Sequence, residues 1–272
     1  MKITNVASVR HLSPFRYPGG KTWLIPRIRE WLAAIKPRTF AEPFCGGAIV
    51  GLTVAAENLA EHVTLCELDD DVAAVWKIAL SDEAMPLAER IMRFRVSEAS
   101  VREVLESPSD SLLCKAFRTI IRNRMNRGGI MAPGAGLMKG GENGRGLLSR
   151  WYAETLCARI MAINELRDRI TFLHRDYRES PPADAVFIDP PYTVAGRRLY
   201  AHNAVDHSDV FTLAAKAAGS FLMTYDNAPE IRSLAAIHGF ATAPIAMKNT
   251  HHAIMSELLI GKNLNWLNGG ET

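Results

Sequence analysis

Short apolar runs of strand length alternate along this chain with longer segments of helical periodicity, and that alternation is the strongest constraint on its architecture. Strands are predicted over residues 39–44, 63–67, 170–174, 185–188, 220–224, 242–247 and 257–261. Helices are predicted over 22–35, 48–58, 70–80, 84–94, 100–105, 112–125, 148–167, 208–217 and 229–238, with Pro26 expected to start or kink the first of them. Strands that take turns with helices imply an α/β fold, a mostly parallel sheet covered on both faces.

The alternation lapses once. From Asp71 to Leu156 there are helical patterns but no strand, and residues 128–146 contain eight glycines, too many for a helix or strand to hold. This stretch reads as an insertion, 71–156, in a body formed by 1–70 and 157–272. The formal net charge is only +3, yet Lys115 to Arg159 contains nine basic residues against Glu142 and Glu154. The remainder is therefore net acidic. A basic segment on a mildly acidic body suits a polyanionic partner, because each phosphate it neutralises releases counterions.

With 48% hydrophobic and 22% charged residues, the composition excludes a disordered chain. The four cysteines, Cys45, Cys66, Cys114 and Cys157, are scattered without metal-site spacing and are expected to be reduced and mostly buried. No apolar run approaches the ~18 residues that span a bilayer. The first residues also lack a signal peptide's apolar stretch, so a cytoplasmic location is expected.

Three motifs carry chemistry. The first strand runs into Cys45-Gly46-Gly47-Ala48 and then an apolar helix, a turn in which a ligand can approach the backbone at the sheet's carboxyl edge, although such a turn also serves purely structural ends. The next strand ends in Glu67, where a carboxylate can accept both hydroxyls of a ribose; spacing alone leaves Asp69 and Asp70 open, and Glu67 is preferred because it ends the strand. Most specific is Asp189-Pro190-Pro191-Tyr192, immediately after the apolar run 185–188. Two prolines force the chain out of the sheet, leaving a carboxylate, a carbonyl and an aromatic ring at its edge. That set suits a planar base with an exocyclic amine. His251 and His252 read as loop residues, and no metal site is expected.

Taken together, these residues resemble the Dam-like, S-adenosylmethionine-dependent DNA adenine-N6 methyltransferases, nearly end to end. Arg16-Tyr17-Pro18-Gly19-Gly20-Lys21 is similar to the family's amino-terminal cofactor motif and Glu42-Pro43-Phe44-Cys45-Gly46-Gly47 to its glycine loop. Glu67 falls at its ribose-binding acid, Asp176-Tyr177 at its adenine-ring pocket and Asp189 to Tyr192 at its catalytic tetrapeptide. Tyr225 to Arg232 and Glu257-Leu258-Leu259-Ile260 resemble its late segments.

The resemblance implies a Rossmann-like methyltransferase fold: a mostly parallel sheet with an antiparallel carboxyl-terminal strand, plus a helical target-recognition insertion. It implies S-adenosylmethionine as cofactor, held by Tyr17, Gly19, Lys21, Phe44, Gly46, Glu67, Asp176 and Tyr177. Within that set, Lys21 meets the methionine carboxylate region, Tyr17 packs near the sulfonium, Asp176 bonds the adenine amine and Tyr177 stacks on the ring. The partner implied is double-stranded DNA, touched by Arg16, Asn123, Arg124, Asn126 and Arg127, with a restriction endonuclease as a functional counterpart. In one respect the chain departs from the pattern. Relatives that read GATC carry Asn-Gly-Leu-x-Arg at a hairpin tip, where this chain has Gly128-Gly129-Ile130-Met131-Ala132 and so lacks the arginine that commonly reads guanine.

The expected reaction is transfer of a methyl group to the amine of a flipped-out adenine, with Asp189, Pro190, Pro191 and Tyr192 as the catalytic residues. Competing readings are methylation of RNA or a protein amide, a catalytically silent nucleic-acid-binding protein, and a nicotinamide-dependent dehydrogenase. Asp at the first position of the tetrapeptide favours adenine amines over the amide- and cytosine-modifying forms.

Overall fold

The computed structural model describes residues 6–16, 19–108, 110–132, 134–141, 144–192, 205–248 and 254–268. Seven strands form one sheet: β1 (Thr39–Glu42), β2 (His62–Glu67), β3 (Ile170–His174), β4 (Ala185–Ile188), β5 (Ser220–Asp226), β6 (Ala241–Lys248) and β7 (Ile254–Gly261). Their spatial order is β3-β2-β1-β4-β5-β7-β6. All pairings from β3 through β5 are parallel, while β7 runs antiparallel to both β5 and β6. This is the expected Rossmann-like α/β sheet with an antiparallel carboxyl-terminal strand. Chain order reverses between β1 and β4, and the crevice at such a switch point is where open α/β sheets bind ligands.

Nine α-helices are described: α1 (Ile25–Ile35), α2 (Ile49–Ala56), α3 (Asp70–Ala79), α4 (Ala84–Arg93), α5 (Glu98–Glu106), α6 (Leu112–Met125), α7 (Ala153–Asn164), α8 (His207–Lys216) and α9 (Pro229–Ile237). Local chemistry sets their ends. The predicted first helix divides into a 3-10 turn, Lys21–Leu24, and α1, which Pro26 starts rather than kinks. Asp69 caps α3 by accepting from the Asp71 and Val72 amides, and Ser111 caps α6 by accepting from that of Cys114. The helix predicted over 148–167 is broken. A 3-10 turn, Gly146–Arg150, gives way to extended backbone at Trp151 and non-helical backbone at Tyr152 before α7 begins. The Trp151 ring packs edge-on against Phe94, which places tertiary contact above helical periodicity there.

β1 ends two residues earlier than predicted, because the chain leaves the sheet at Pro43 to make the glycine turn. β6 carries Pro244, which the sheet tolerates because β6 is an edge strand. Among its described residues, 71–156 contains no strand, only an isolated antiparallel bridge between Asn126 and Leu137 across the base of the glycine-rich loop. The helices of this stretch have no separate core: Trp76, Phe117 and Ile121 belong to the same buried cluster as Phe40, Leu52 and Phe187. A second cluster, built on Ile188, Phe211, Met223 and Tyr225, includes residues of α8, α9 and the β4-β5-β7 part of the sheet.

All four cysteines are free; Cys45 and Cys66 are buried and the other two only half-buried. Among the described residues no helix is long and apolar enough to cross a membrane, and no group of acidic, His and Cys side chains could hold a metal ion.

Candidate active site

The carboxyl ends of β1, β2, β3 and β4 converge on a cavity of about 490 Å³, within the range of small-molecule sites. It is continuous from Lys21 and Asp189, past the glycine turn, to Glu67 and Tyr177. The tetrapeptide and the turn therefore share one space, as a reaction between two ligands requires.

The turn after β1 is pinned from both sides. The Gly46 amide donates to Glu67 Oε2 at 2.9 Å, and its carbonyl accepts from the Trp76 indole at 3.0 Å. Gly46 sits at φ 44°, where a side chain is disfavoured. Glu67 Oε1 accepts from the Leu68 and Asp69 amides, both at 2.9 Å. Burial outweighs these bonds and pushes the Glu67 carboxyl up to about 7. A second carboxylate, Glu42 at the end of β1, is only 3% exposed and accepts from the Gly51 amide at 2.8 Å. Burial drives its carboxyl well above the usual range, and the Asp189 and Glu67 charges raise it further.

At the far side of the cavity Phe44 and Tyr177 stack with ring centroids 4.6 Å apart, giving it an aromatic wall. Asp176 caps the short turn Tyr177–Glu179 and is bound by the Arg178 guanidinium, which holds its carboxyl below the usual range.

Lys21 is the hub of the catalytic side. It is 3% exposed, and its Nζ donates to the Gly19 carbonyl at 2.7 Å and to Asp189 Oδ2 at 2.8 Å. Glu257 Oε2 lies 3.9 Å away and the centroid of the Tyr192 ring 5.0 Å away. Asp189 Oδ1 accepts from the Thr224 hydroxyl at 2.7 Å. Tyr192 donates its hydroxyl to Glu257 Oε2 at 2.7 Å and stacks on Tyr225 at 5.9 Å. Burial raises the phenol of Tyr192 well above its ordinary value, so it stays a donor. Burial also raises Glu257, against the pull of Lys21.

The positions expected to touch a cofactor, Gly19, Lys21, Phe44, Gly46, Glu67, Asp176 and Tyr177, all line this one cavity, as do Asp189 and Pro191. Pro190 is buried, and Tyr192 lies half-buried beside the cavity, against Tyr225. Tyr17 lies outside the described residues, as do His251 and His252.

The residues expected to meet nucleic acid divide into two groups. Asn123 is 1% exposed and is used entirely within the protein: its Oδ1 accepts from the Arg16 amide, and its Nδ2 donates to the carbonyls of Arg16 and Gly129. Arg124 donates to the Pro14 carbonyl at 2.6 Å and Asn126 to that of Ile130 at 2.8 Å, and both are 6% exposed. These three side chains therefore hold loops and do not present themselves to a base, which corrects the expectation for them. Arg16 is half-buried, and Arg127 is exposed.

Sequence reasoning named Glu42 and Glu257 within motifs but gave them no role, and it passed over Thr224. Glu42 was findable, since it ends an apolar strand as Glu67 does. Nothing local gives the other two their partners; strand order brings Thr224 to Asp189 and Glu257 to Tyr192.

A Rossmann-like sheet that brings a glycine turn and the carboxylates of Glu67 and Asp189 to one cavity has the arrangement that a nucleoside-type ligand can occupy. Residues 17–105 match the family model described as D12 class N6 adenine-specific DNA methyltransferase, which bears out the resemblance to the Dam-like enzymes. That match spans 89 of the 272 residues and supports an adenine-specific DNA methyltransferase that uses S-adenosylmethionine. No curated protein matches it significantly in sequence.

Among solved structures it is similar to a protein from Pyrococcus horikoshii provisionally described as an RNA methyltransferase, with 12% identity, a TM-score of 0.43, and 96% of this chain and 91% of that chain covered. It is also similar to an rRNA methyltransferase from Streptomyces viridochromogenes, with 16% identity, a TM-score of 0.39, and 93% and 89% covered. A third is the magnesium protoporphyrin IX methyltransferase from Synechocystis with bound S-adenosylmethionine, with 11% identity, a TM-score of 0.40, and 88% and 78% covered.

Proposed function

We propose that this protein methylates the exocyclic amine of an adenine extruded from double-stranded DNA at specific sites. The observation that carries the reading is the single cavity that joins Asp189 to the glycine turn and Glu67. Its residues fit the cofactor: an aromatic pair for the adenine ring, Glu67 for the ribose hydroxyls, and Lys21 at the opposite end for the methionine carboxylate. Lys21 suits that role, because two of its three donors are engaged by Gly19 and Asp189 and one is left for a ligand. When bound, S-adenosylmethionine supplies a methyl group on an electrophilic sulfonium.

Asp189 performs the recognition of the amine. Each of its carboxylate oxygens carries two lone pairs, and Thr224 and Lys21 each occupy one. One acceptor direction therefore remains on each oxygen. An amine N–H that donates there, with a second donated to the Pro190 carbonyl, turns the nitrogen lone pair away from the ring and along the line of displacement. Thr224 and Lys21 hold the carboxylate in place before the base arrives. Tyr192, fixed by Glu257 and Tyr225, supplies the aromatic face for the extruded base. No cysteine takes part, and no covalent intermediate is needed.

Residues 71–156 fit a target-recognition role through their basic charge and glycine-rich loop, on a body formed by 1–70 and 157–272. Of the nucleic-acid set, Arg16 and Arg127 remain as contacts. A restriction endonuclease counterpart and a cytoplasmic setting belong to the same reading.

Incubation with radiolabelled S-adenosylmethionine and, separately, duplex DNA, single-stranded DNA and RNA tests it. Label is expected on adenine N6 of the duplex, and Asp189→Asn is expected to bind cofactor and duplex yet lose transfer. Preferential labelling of RNA, or transfer by Asp189→Asn at the wild-type rate, would overturn the proposal.

A further inference from the structure

Part of the cavity lining carries positive charge that the reaction above does not use. Arg159 of α7 lines the cavity with Ser13 and Gly129, and its Nη1 donates to the Ser13 carbonyl at 2.9 Å. Behind it lies Arg124 of α6, whose Nε has no hydrogen-bond partner among the described residues. Arg16 and Arg150 are close enough that, after burial itself, their charges and that of Arg159 push the Arg124 guanidinium down to about 9. Of these four guanidinium groups, Arg159 is the one that lines the cavity.

Several other arginines face acids, Arg29 with Glu57, Arg122 with Asp71, Arg167 with Asp82 and Arg178 with Asp176, although Arg169 too meets only oxygens of Ala55, Asn58 and Ala60. Arg124 and Arg159 have no carboxylate within ion-pair distance among the described residues and meet only main-chain carbonyls. Holding the half-buried Arg159 beside the buried Arg124 is costly unless an anion joins them.

We infer that Arg159, backed by Arg124, forms a subsite for a backbone phosphate of the strand whose adenine enters the cavity. Arg159 and Asp189 line the same space, as a base and its own phosphodiester require. A planar guanidinium with donors to spare is matched to phosphate oxygens. The inference rests on the DNA reading above and adds to it a residue outside the insertion that takes hold of the strand.

The alternative use for these side chains is to clip residues 13–16 in place, and Arg159→Gln separates the two. The amide can still donate to the Ser13 carbonyl, but the charge is gone. Binding of a mixed-sequence duplex is followed by fluorescence anisotropy across a salt series, and binding of S-adenosylhomocysteine by calorimetry. For Arg159→Gln the slope of log K against log salt is expected to become shallower by about 1, the contribution of one phosphate. Its cofactor affinity should stay within about twofold of wild type. Arg159→Lys, which keeps the charge, should keep the slope.

If wild type binds duplex and Arg159→Gln shows the same slope, the phosphate subsite is wrong while the DNA reading stands. Loss of S-adenosylhomocysteine affinity with duplex binding intact would give the wall to the cofactor's carboxylate and overturn the inference. A lowered thermal midpoint in both variants, with the slope lost in each, would leave only the clip. Absence of duplex binding by the wild type would remove the DNA reading, and this inference with it.

Discussion

Replacing Glu67 by Gln turns the electrostatics of the glycine turn into a measurable pH dependence. In the folded protein the Glu67 carboxyl titrates at about 7, against 4.5 without the fold. Between those values the native state holds a proton that the unfolded chain has released. This contribution to stability is therefore full below the unfolded value and is lost as pH rises towards the folded one. Each tenfold gain in proton affinity on folding corresponds to about 1.4 kcal/mol, so the wild type should lose about 3 kcal/mol across the interval through this group.

Glutamine is a neutral stand-in for the protonated acid, and its carbonyl can still accept from the Leu68 and Asp69 amides. Urea unfolding of both proteins without cofactor, at several pH values between the two, gives the stability difference. The wild type's advantage over Glu67→Gln should shrink by about 3 kcal/mol from the lowest pH to the highest. A difference that stays constant within about 0.5 kcal/mol would refute the reasoning. If ribose hydroxyls donate to the ionised carboxylate, S-adenosylhomocysteine should bind wild type more weakly as pH falls, approaching tenfold per pH unit below about 7. Glu67→Gln should bind it with little pH dependence.

Two further substitutions probe the supports of the site. A Cβ on Gly51 would come within 2.5 Å of Leu65 Cδ2 and 2.7 Å of Glu42 Oε2, so Gly51→Ala should cost about 1–3 kcal/mol from overpacking. Stability by urea unfolding within about 0.5 kcal/mol of wild type would show that Glu42 is not confined there. Asn123→Ala removes three hydrogen bonds that join the segment before Lys21 to the glycine-rich loop, and should cost about 2–4 kcal/mol by the same measurement. Unchanged stability with an altered recognition sequence, read by modified-base sequencing, would return Asn123 to the base-reading role that its burial argues against.

What could be read from the sequence was whatever depends on near neighbours in the chain. Apolar period separated strands from helices closely enough that β3, β4 and α6 fall on their predicted residues. The paired prolines marked the exit from β4, and the glycine turn and Glu67 were placed by their positions after β1 and at the end of β2.

The tertiary structure alone decided the connections between distant positions. Thr224 reaches Asp189 because β5 pairs in parallel with β4, and Glu257 reaches Tyr192 because β7 returns antiparallel beside β5 and brings its early residues to the same edge. The burial of Asn123 and Arg124 likewise depends on how α6 packs against residues 13–16, which no periodicity along α6 records. Periodicity reports which face of an element is apolar, whereas the partner that a polar side chain finds on that face is set by sheet order and packing between residues far apart in the chain.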